Sequence, residues 1–178
     1  MKLLEELRSN NESALRKLFD LYYIPLCLYS YQITDSFEQS EDIVQDFFIS
    51  FWEKKLYNKI SINLRSYLFQ SVRNMSLTAI AKRDQNIIEE FEEASYSPIE
   101  DKYDNDELQM KRDLLYAELK SLSKQEYNVL TAIVFDNKRY KEVASDLEIS
   151  VNTVKTHLSR ALKHLRKKEL LSILISII

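Results

Sequence analysis

The sequence contains no glycine and only two prolines, Pro25 and Pro98. Without glycine there is no ready supply of positive-φ residues for many tight hairpins, and no glycine-rich loop to cradle a phosphate. Alternating apolar and polar runs of the strand type are also scarce, so the chain is expected to be all-α. Cys27 is the single cysteine, which excludes an intrachain disulfide and suits a reducing, cytoplasmic compartment. It sits beside Leu26, Leu28 and Tyr29, the setting of a small buried thiol. The two histidines, His157 and His164, have no nearby candidate ligands, so no metal and no other cofactor is expected. The opening "MKLLEELRSNNES" turns acidic too early for a secretory signal. No apolar run reaches bilayer length, and the greasy ending "LLSILISII" is expected to pack as a helix end on its neighbours. What the chain does have is 45% apolar residues, enough for a core.

The net charge of −3 is unevenly laid out. Residues 1–80 carry 9 basic and 10 acidic side chains, residues 81–110 carry 3 and 10, and residues 111–178 carry 13 and 8. From Val151 to Lys168 there are six Lys or Arg and no carboxylate. This asymmetry points to nucleic acid at the C-terminal end in a way the total does not.

The segment "RDQNIIEEFEEASYSPIEDKYDND", residues 83–106, combines a like-charge run, weak periodicity and Ser-Pro. It reads as a solvated acidic linker between a domain at residues 1–82 and another at residues 107–178. In the first, "NNESALRKLFDLYY" is an amphipathic helix capped by Asn10 or Asn11. Pro25 is expected to open a separate helix, "IPLCLYSYQI", since a first turn tolerates its missing N–H. "FEQSEDIVQDFFISFWEKK" forms a long helix, and "SINLRSYLFQSVRNMSLTAIAKR" another, capped near Asn63. In the second domain "NDELQMKRDLLYAELKSL" is one helix and "SKQEYNVLTAIVF" the next, opened by a Ser123–Glu126 capping box.

"YKEVASDLEISVNTVKTHLSRALKHLRKK" then reads as two helices about a tight turn. With Ser150 as N-cap, Val151, Val154, Leu158, Ala161, Leu162 and Leu165 share one face, directed at Val143, Ala144 and Leu147. The opposite face carries Asn152, Thr153, Thr156, Ser159, Arg160, Lys163 and Lys167, with Lys155 on its flank. Short polar side chains on the first turns and cations on the later ones suit a helix that enters the major groove and tracks phosphates with its tail. Glu148 falls where such a turn favours glycine, at a cost of about 1 kcal/mol that a packed domain absorbs.

This C-terminal stretch resembles the last domain of bacterial sigma factors of the extracytoplasmic-function group within the sigma-70 family. It is similar also to the LuxR-type helix-turn-helix at the end of many response regulators. Both open on S-x-x-T-V-K, and the motif does not choose between them. The N-terminal lobe does, because it is helical, lacks glycine, and contains "QSEDIVQDFFISFWEKK", which resembles the polymerase-binding segment of the sigma-2 domain. Here Ile43, Val44, Phe47 and Phe51 share an inward face, with Phe48 at its edge and Trp52 at the border in a packing role. Asp42, Gln45, Asp46, Ile49 and Glu53 project from another. By itself that second face is also compatible with plain surface.

The resemblance implies a non-enzymatic promoter-specificity subunit. Its Asp42, Gln45, Asp46, Ile49 and Glu53 would dock on the β′ clamp helices of core RNA polymerase, with further contact to the β subunit. The −10 element would meet the Tyr57–Asn63 loop (Tyr57, Asn58, Lys59, Asn63) and Arg65, Tyr67, Arg73 and Asn74 on the following helix. That helix ends in "AIAKRDQ", with Lys82 and Arg83 where many relatives have a dense arginine run, which implies weaker strand capture. The −35 element would meet Asn152, Thr153, Lys155, Thr156, Ser159, Arg160 and Lys163. The family's linker threads near the active-site channel and RNA exit path, and its members are commonly held by an anti-sigma factor. Two readings stand beside this one: a dimeric helix-turn-helix regulator that binds paired half-sites without polymerase, and a protein-binding adapter.

Overall fold

The computed structural model describes residues 2–61, 63–83 and 105–178. Every regular element among them is helical. The chain divides into two compact units, Met1–Glu100 and Asp101–Ile178. The expected acidic linker lies almost wholly outside the described residues.

The first unit holds α1 (Lys2–Arg8), α2 (Glu12–Thr34), α3 (Phe37–Glu53), a 3₁₀ turn (Leu56–Lys59) and α4 (Leu64–Arg83). Asn11 caps α2, accepting from the N–H of Ser13. Asp35 then takes a left-handed conformation and Ser36 caps α3, folding it back beside α2 after two residues. Asn63 opens α4, its Oδ1 accepting from the N–H of Arg65 at 2.8 Å. The core gathers Leu18, Leu26 and Leu28 of α2, Val44, Phe47 and Phe51 of α3, and Leu68, Phe69 and Val72 of α4. Small hydroxyls close the remaining polar gaps: Ser30 meets Ser76 at 2.8 Å, and Thr34 meets Ser40 at 2.8 Å. Each is thereby satisfied where burial without a partner would be costly.

Pro25 does not open a helix. It lies inside α2, which runs unbroken through it for 23 residues. An internal proline costs about 3 kcal/mol in an isolated helix. Here Ile24, Leu26, Cys27 and Leu28 are all buried around it, and that burial outweighs the lost bond. Local preference yields to tertiary packing.

The second unit holds α5 (Asn105–Ser121), α6 (Lys124–Leu130) running into a π turn (Thr131–Phe135), α7 (Tyr140–Asp146), α8 (Val151–Lys167) and α9 (Leu171–Ile177). The Ser123–Glu126 capping box forms as expected. α8 packs on α6 and α7 through Val154, Leu158, Ala161, Leu162 and Leu165, all buried. The apolar ending becomes α9 and buries Leu171, Ile173, Leu174 and Ile175 against α5 and α8. Its grease completes this unit's own core.

Among the described residues the absence of glycine is met by six others in the left-handed region: Asn10, Asp35, Lys55, Asn137, Glu148 and Glu169. Three are Asn or Asp, which tolerate that region best. Glu148, at φ 54°, is the expected turn residue between α7 and α8. The N–H of Ile149 reaches back to Ala144 O at 3.0 Å, closing the helix end in the usual left-handed manner.

A charged cluster ties α5 to α8. Glu118 accepts from His164 Nε2 at 2.7 Å and from Lys168 Nζ at 3.2 Å. These two partners, His164 first, hold its carboxyl below the ordinary value of 4.5. The unfolded chain therefore takes up this proton first on acidification. The stabilising contribution is complete above about pH 4.5 and is lost as pH falls through the depressed native value. In urea titrations of the second unit's transition, Glu118→Gln is expected to flatten the fall in stability below pH 4.5. An unchanged slope would show that the cluster does not stabilise the fold.

Candidate nucleic-acid interface and partner face

On α3 the inward stripe is fully formed, with Ile43, Val44, Phe47, Phe48 and Phe51 buried. This leaves Asp42, Gln45, Asp46, Ile49 and Glu53 together on the exposed side. Ile49 is 54% exposed between carboxylates, an apolar point on an acidic field. The five residues assigned to partner binding thus form one continuous surface, set by helical spacing alone.

The 3₁₀ loop and α4 are less uniform. Tyr57 was expected to face DNA, yet its ring is 0% exposed. It packs between Phe51 at 5.7 Å and Trp52 at 5.8 Å, and its hydroxyl donates to Asn10 Oδ1 at 2.8 Å. Tyr57 is therefore the core anchor of the loop, and it holds Asn58 and Lys59 out in solvent. Arg8 fixes the loop's far end, donating from Nη2 to Ile60 O at 2.9 Å. Sequence singles out Asn10 only as a possible helix cap, a place that Asn11 takes, and does not single out Arg8. Their partners lie 47 and 52 residues away, and no local pattern encodes such a pair.

On α4, Tyr67 and Asn74 are seven residues apart and share a stripe, while Arg65 and Arg73 lie toward another side. Arg65 is exposed with its guanidinium 5.6 Å from the Phe69 ring centroid, and Arg73 is half-buried. The four do not converge on a single point. Asn74 instead borders a groove lined also by Asp46, Ile43, Met75, Thr78 and Lys82. The acidic face of α3 and the Asn74 side of α4 thus adjoin.

α8 begins as expected at Ser150, whose Oγ accepts from the N–H of Thr153 at 3.0 Å. Asn152, Lys155, Thr156, Ser159, Arg160 and Lys163 are exposed along its outer face. Two hydroxyls are more committed than sequence suggested. Thr153 Oγ1 pairs with Ser150 Oγ at 2.8 Å, and Thr153 is half-buried. Thr156 Oγ1 donates to Asn152 O at 2.9 Å, so it offers an outside ligand lone pairs and a methyl group. Lys155 Nζ lies 5.9 Å from the Tyr140 ring centroid, which restrains its charge near the start of α7. No spacing within one helix encodes this pair, because Tyr140 and Lys155 lie on either side of the turn. Lys138, by contrast, is held by Asp146 at 2.8 Å, which raises its pKa.

Electrostatically the two surfaces are opposite. The α3 face presents carboxylates, and the outer face of α8 presents Lys155, Arg160, Lys163 and Lys167. The latter suits a polyanion. The former suits a partner rich in basic donors. Among the described residues no cluster of His, Cys, Asp and Glu could hold a metal ion. No described helix is long and apolar enough to cross a membrane.

Comparison with known proteins places the α3 face, and the α8 face up to Lys163, inside recognised segments. Residues 18–86 match the family described as Sigma-70 region 2, and residues 112–165 match the one described as Sigma-70, region 4. The chain is similar to the ECF RNA polymerase sigma factor SigL of Mycobacterium tuberculosis, strains H37Rv and CDC 1551. The identity is 27% over 158 residues, covering 87% of this chain and 89% of the relative.

Proposed function

The chain belongs to the extracytoplasmic-function group of the sigma-70 family and directs core RNA polymerase to promoters, and we propose that it does so through three separate surfaces. Asp42, Gln45, Asp46, Ile49 and Glu53 dock on the clamp helices of the β′ subunit. Asn58, Lys59, Asn63, Arg65, Tyr67, Arg73 and Asn74 meet the −10 element, with Tyr57 supporting the loop from within. Asn152, Thr153, Lys155, Thr156, Ser159, Arg160 and Lys163 meet the −35 element. The observation that carries this reading is the pairing, in one chain, of an acidic α3 face with a capped basic α8.

The division of labour follows from the chemistry. Lys155, Arg160 and Lys163 supply salt-dependent affinity for phosphates, while Asn152 offers donor and acceptor to a base edge. Each reader alone binds DNA weakly, and mounting both on polymerase supplies the effective concentration that neither has. The domain limits 1–82 and 107–178, with an acidic connection at 83–106, fit this scheme, as does a cytoplasmic location alongside polymerase and promoter DNA. An anti-sigma factor that covers one of these surfaces would silence the protein. Sigma factors are initiation subunits rather than enzymes, and the role assigned to this chain is one of binding.

Run-off transcription with purified core polymerase on fragments of the source genome tests the assignment. New discrete transcripts are expected with the wild type. Asp46→Lys is expected to abolish them by loss of core binding. Arg160→Glu is expected to reduce them at least about tenfold by loss of a phosphate contact with repulsion in its place. Polymerase-independent footprints over paired half-sites would instead favour a dimeric regulator.

A further inference from the structure

Gln45 is an exposed side chain on the α3 face, yet it is not left to rotate. Its Nε2 donates to the hydroxyl of Tyr23, on α2, at 3.2 Å. The same hydroxyl lies 3.5 Å from Glu41 Oε1, one turn earlier on α3. A carboxylate can only accept, so the tyrosine proton is directed at Glu41 and the tyrosine oxygen is left to accept from Gln45. Burial, with Cys27 and Glu41 nearby, pushes the Tyr23 hydroxyl far above its ordinary value, so it remains a donor at any working pH. The ring is held just as firmly, stacked on Phe19 at 4.5 Å, and Phe19 in turn lies 5.0 Å from Phe48 of α3. An aromatic ladder on α2 therefore ends in a hydroxyl aimed at Gln45, at the edge of the proposed polymerase-binding face.

We infer that Tyr23 is a positioning residue for polymerase binding: its hydroxyl takes the amide nitrogen of Gln45 and so turns the Gln45 carbonyl oxygen outward. The inference rests on the assignment of the α3 face to polymerase. With Gln45 fixed this way, its carbonyl oxygen joins the carboxylates of Asp42, Asp46 and Glu53 as an acceptor beside Ile49, and one of its two amide N–H groups is taken up by Tyr23. The partner they fit is a helical surface of Arg, Lys and other donors with one apolar contact. A free Gln45 would also turn its amide nitrogen outward and oppose such a partner. Fixing the amide before binding also removes rotamer freedom that would otherwise be lost on association.

The test is a double-mutant cycle on full-length protein, with the dissociation constant for core polymerase measured by fluorescence anisotropy. Tyr23→Phe keeps the stacked ring and removes only the hydroxyl. It is expected to weaken binding about three- to tenfold, the equivalent of one net hydrogen bond. On a Gln45→Ala background the same change is expected to have little effect, because Tyr23 acts through Gln45. Binding unchanged in Tyr23→Phe, or an equal loss on both backgrounds, would overturn the inference. A parallel Asp46→Lys titration separates this from failure of the face itself. If that variant binds core as well as the wild type, the docking assignment falls and the role of Tyr23 with it.

Discussion

Phe51→Ala is expected to destabilise the first unit by about 3–5 kcal/mol, a large part of the stability of a domain this size. Phe51 is 0% exposed and its ring neighbours those of Phe47, Tyr57 and Tyr67 at 5.6, 5.7 and 6.3 Å. Truncation opens a cavity among three aromatic rings that cannot all relax into it. The loss reaches function through Tyr57, since this ring anchors the loop that carries Asn58 and Lys59. Ile49→Ala, two residues away on the same helix, is the matched contrast. Its side chain is largely in solvent, so stability should change by no more than about 0.5 kcal/mol while core affinity falls. The chain has two units, so one melting temperature will not resolve the effect. Hydrogen exchange at the amides of α2, α3 and α4 will. A Phe51→Ala loss below 1 kcal/mol would mean that the aromatic cluster is not the keystone of this unit.

The second large effect concerns the proposed −35 contacts. Arg160→Ala combined with Lys163→Ala is expected to weaken promoter binding by the holoenzyme roughly 10- to 100-fold at moderate salt. The slope of log affinity against log salt should become shallower by about 1.8, or 0.9 for each phosphate contact removed. Asn152→Ala should behave differently. Losing a base-edge contact costs about 1–3 kcal/mol at one position of the −35 element and relaxes the preference there, with the salt slope unchanged. Filter binding over a salt series, on promoters substituted one base at a time, distinguishes the two. An unchanged slope in the double variant would remove Arg160 and Lys163 from the phosphate contacts.

Several features of this molecule follow from spacing alone. The acidic face of α3 and the basic face of α8 are helical periodicities, and the Ser123 and Ser150 caps are local chemistry over three or four residues. Glu148 at positive φ follows from where α7 must turn into α8. These are interactions between near neighbours in the chain, whose geometry a helix fixes without reference to the rest of the fold.

Other features depend on residues that meet only after folding. Pro25 sits within a helix because four buried neighbours outweigh its local cost. Tyr57 belongs to the core because Phe51, Trp52 and the distant Asn10 close around it. Asn74 adjoins Asp46 across a groove that no linear pattern records. The apolar ending serves its own unit because α5 and α8 leave a face for α9 to cover. Helical content, capping and the two oppositely charged faces are legible in spacing along the chain. Tertiary structure alone decided which aromatic rings are buried, which hydroxyls remain available, and that Tyr23 holds Gln45. The reason is physical: periodicity and capping act over a few residues of one helix, whereas burial and side-chain pairing depend on surfaces brought together from across the chain.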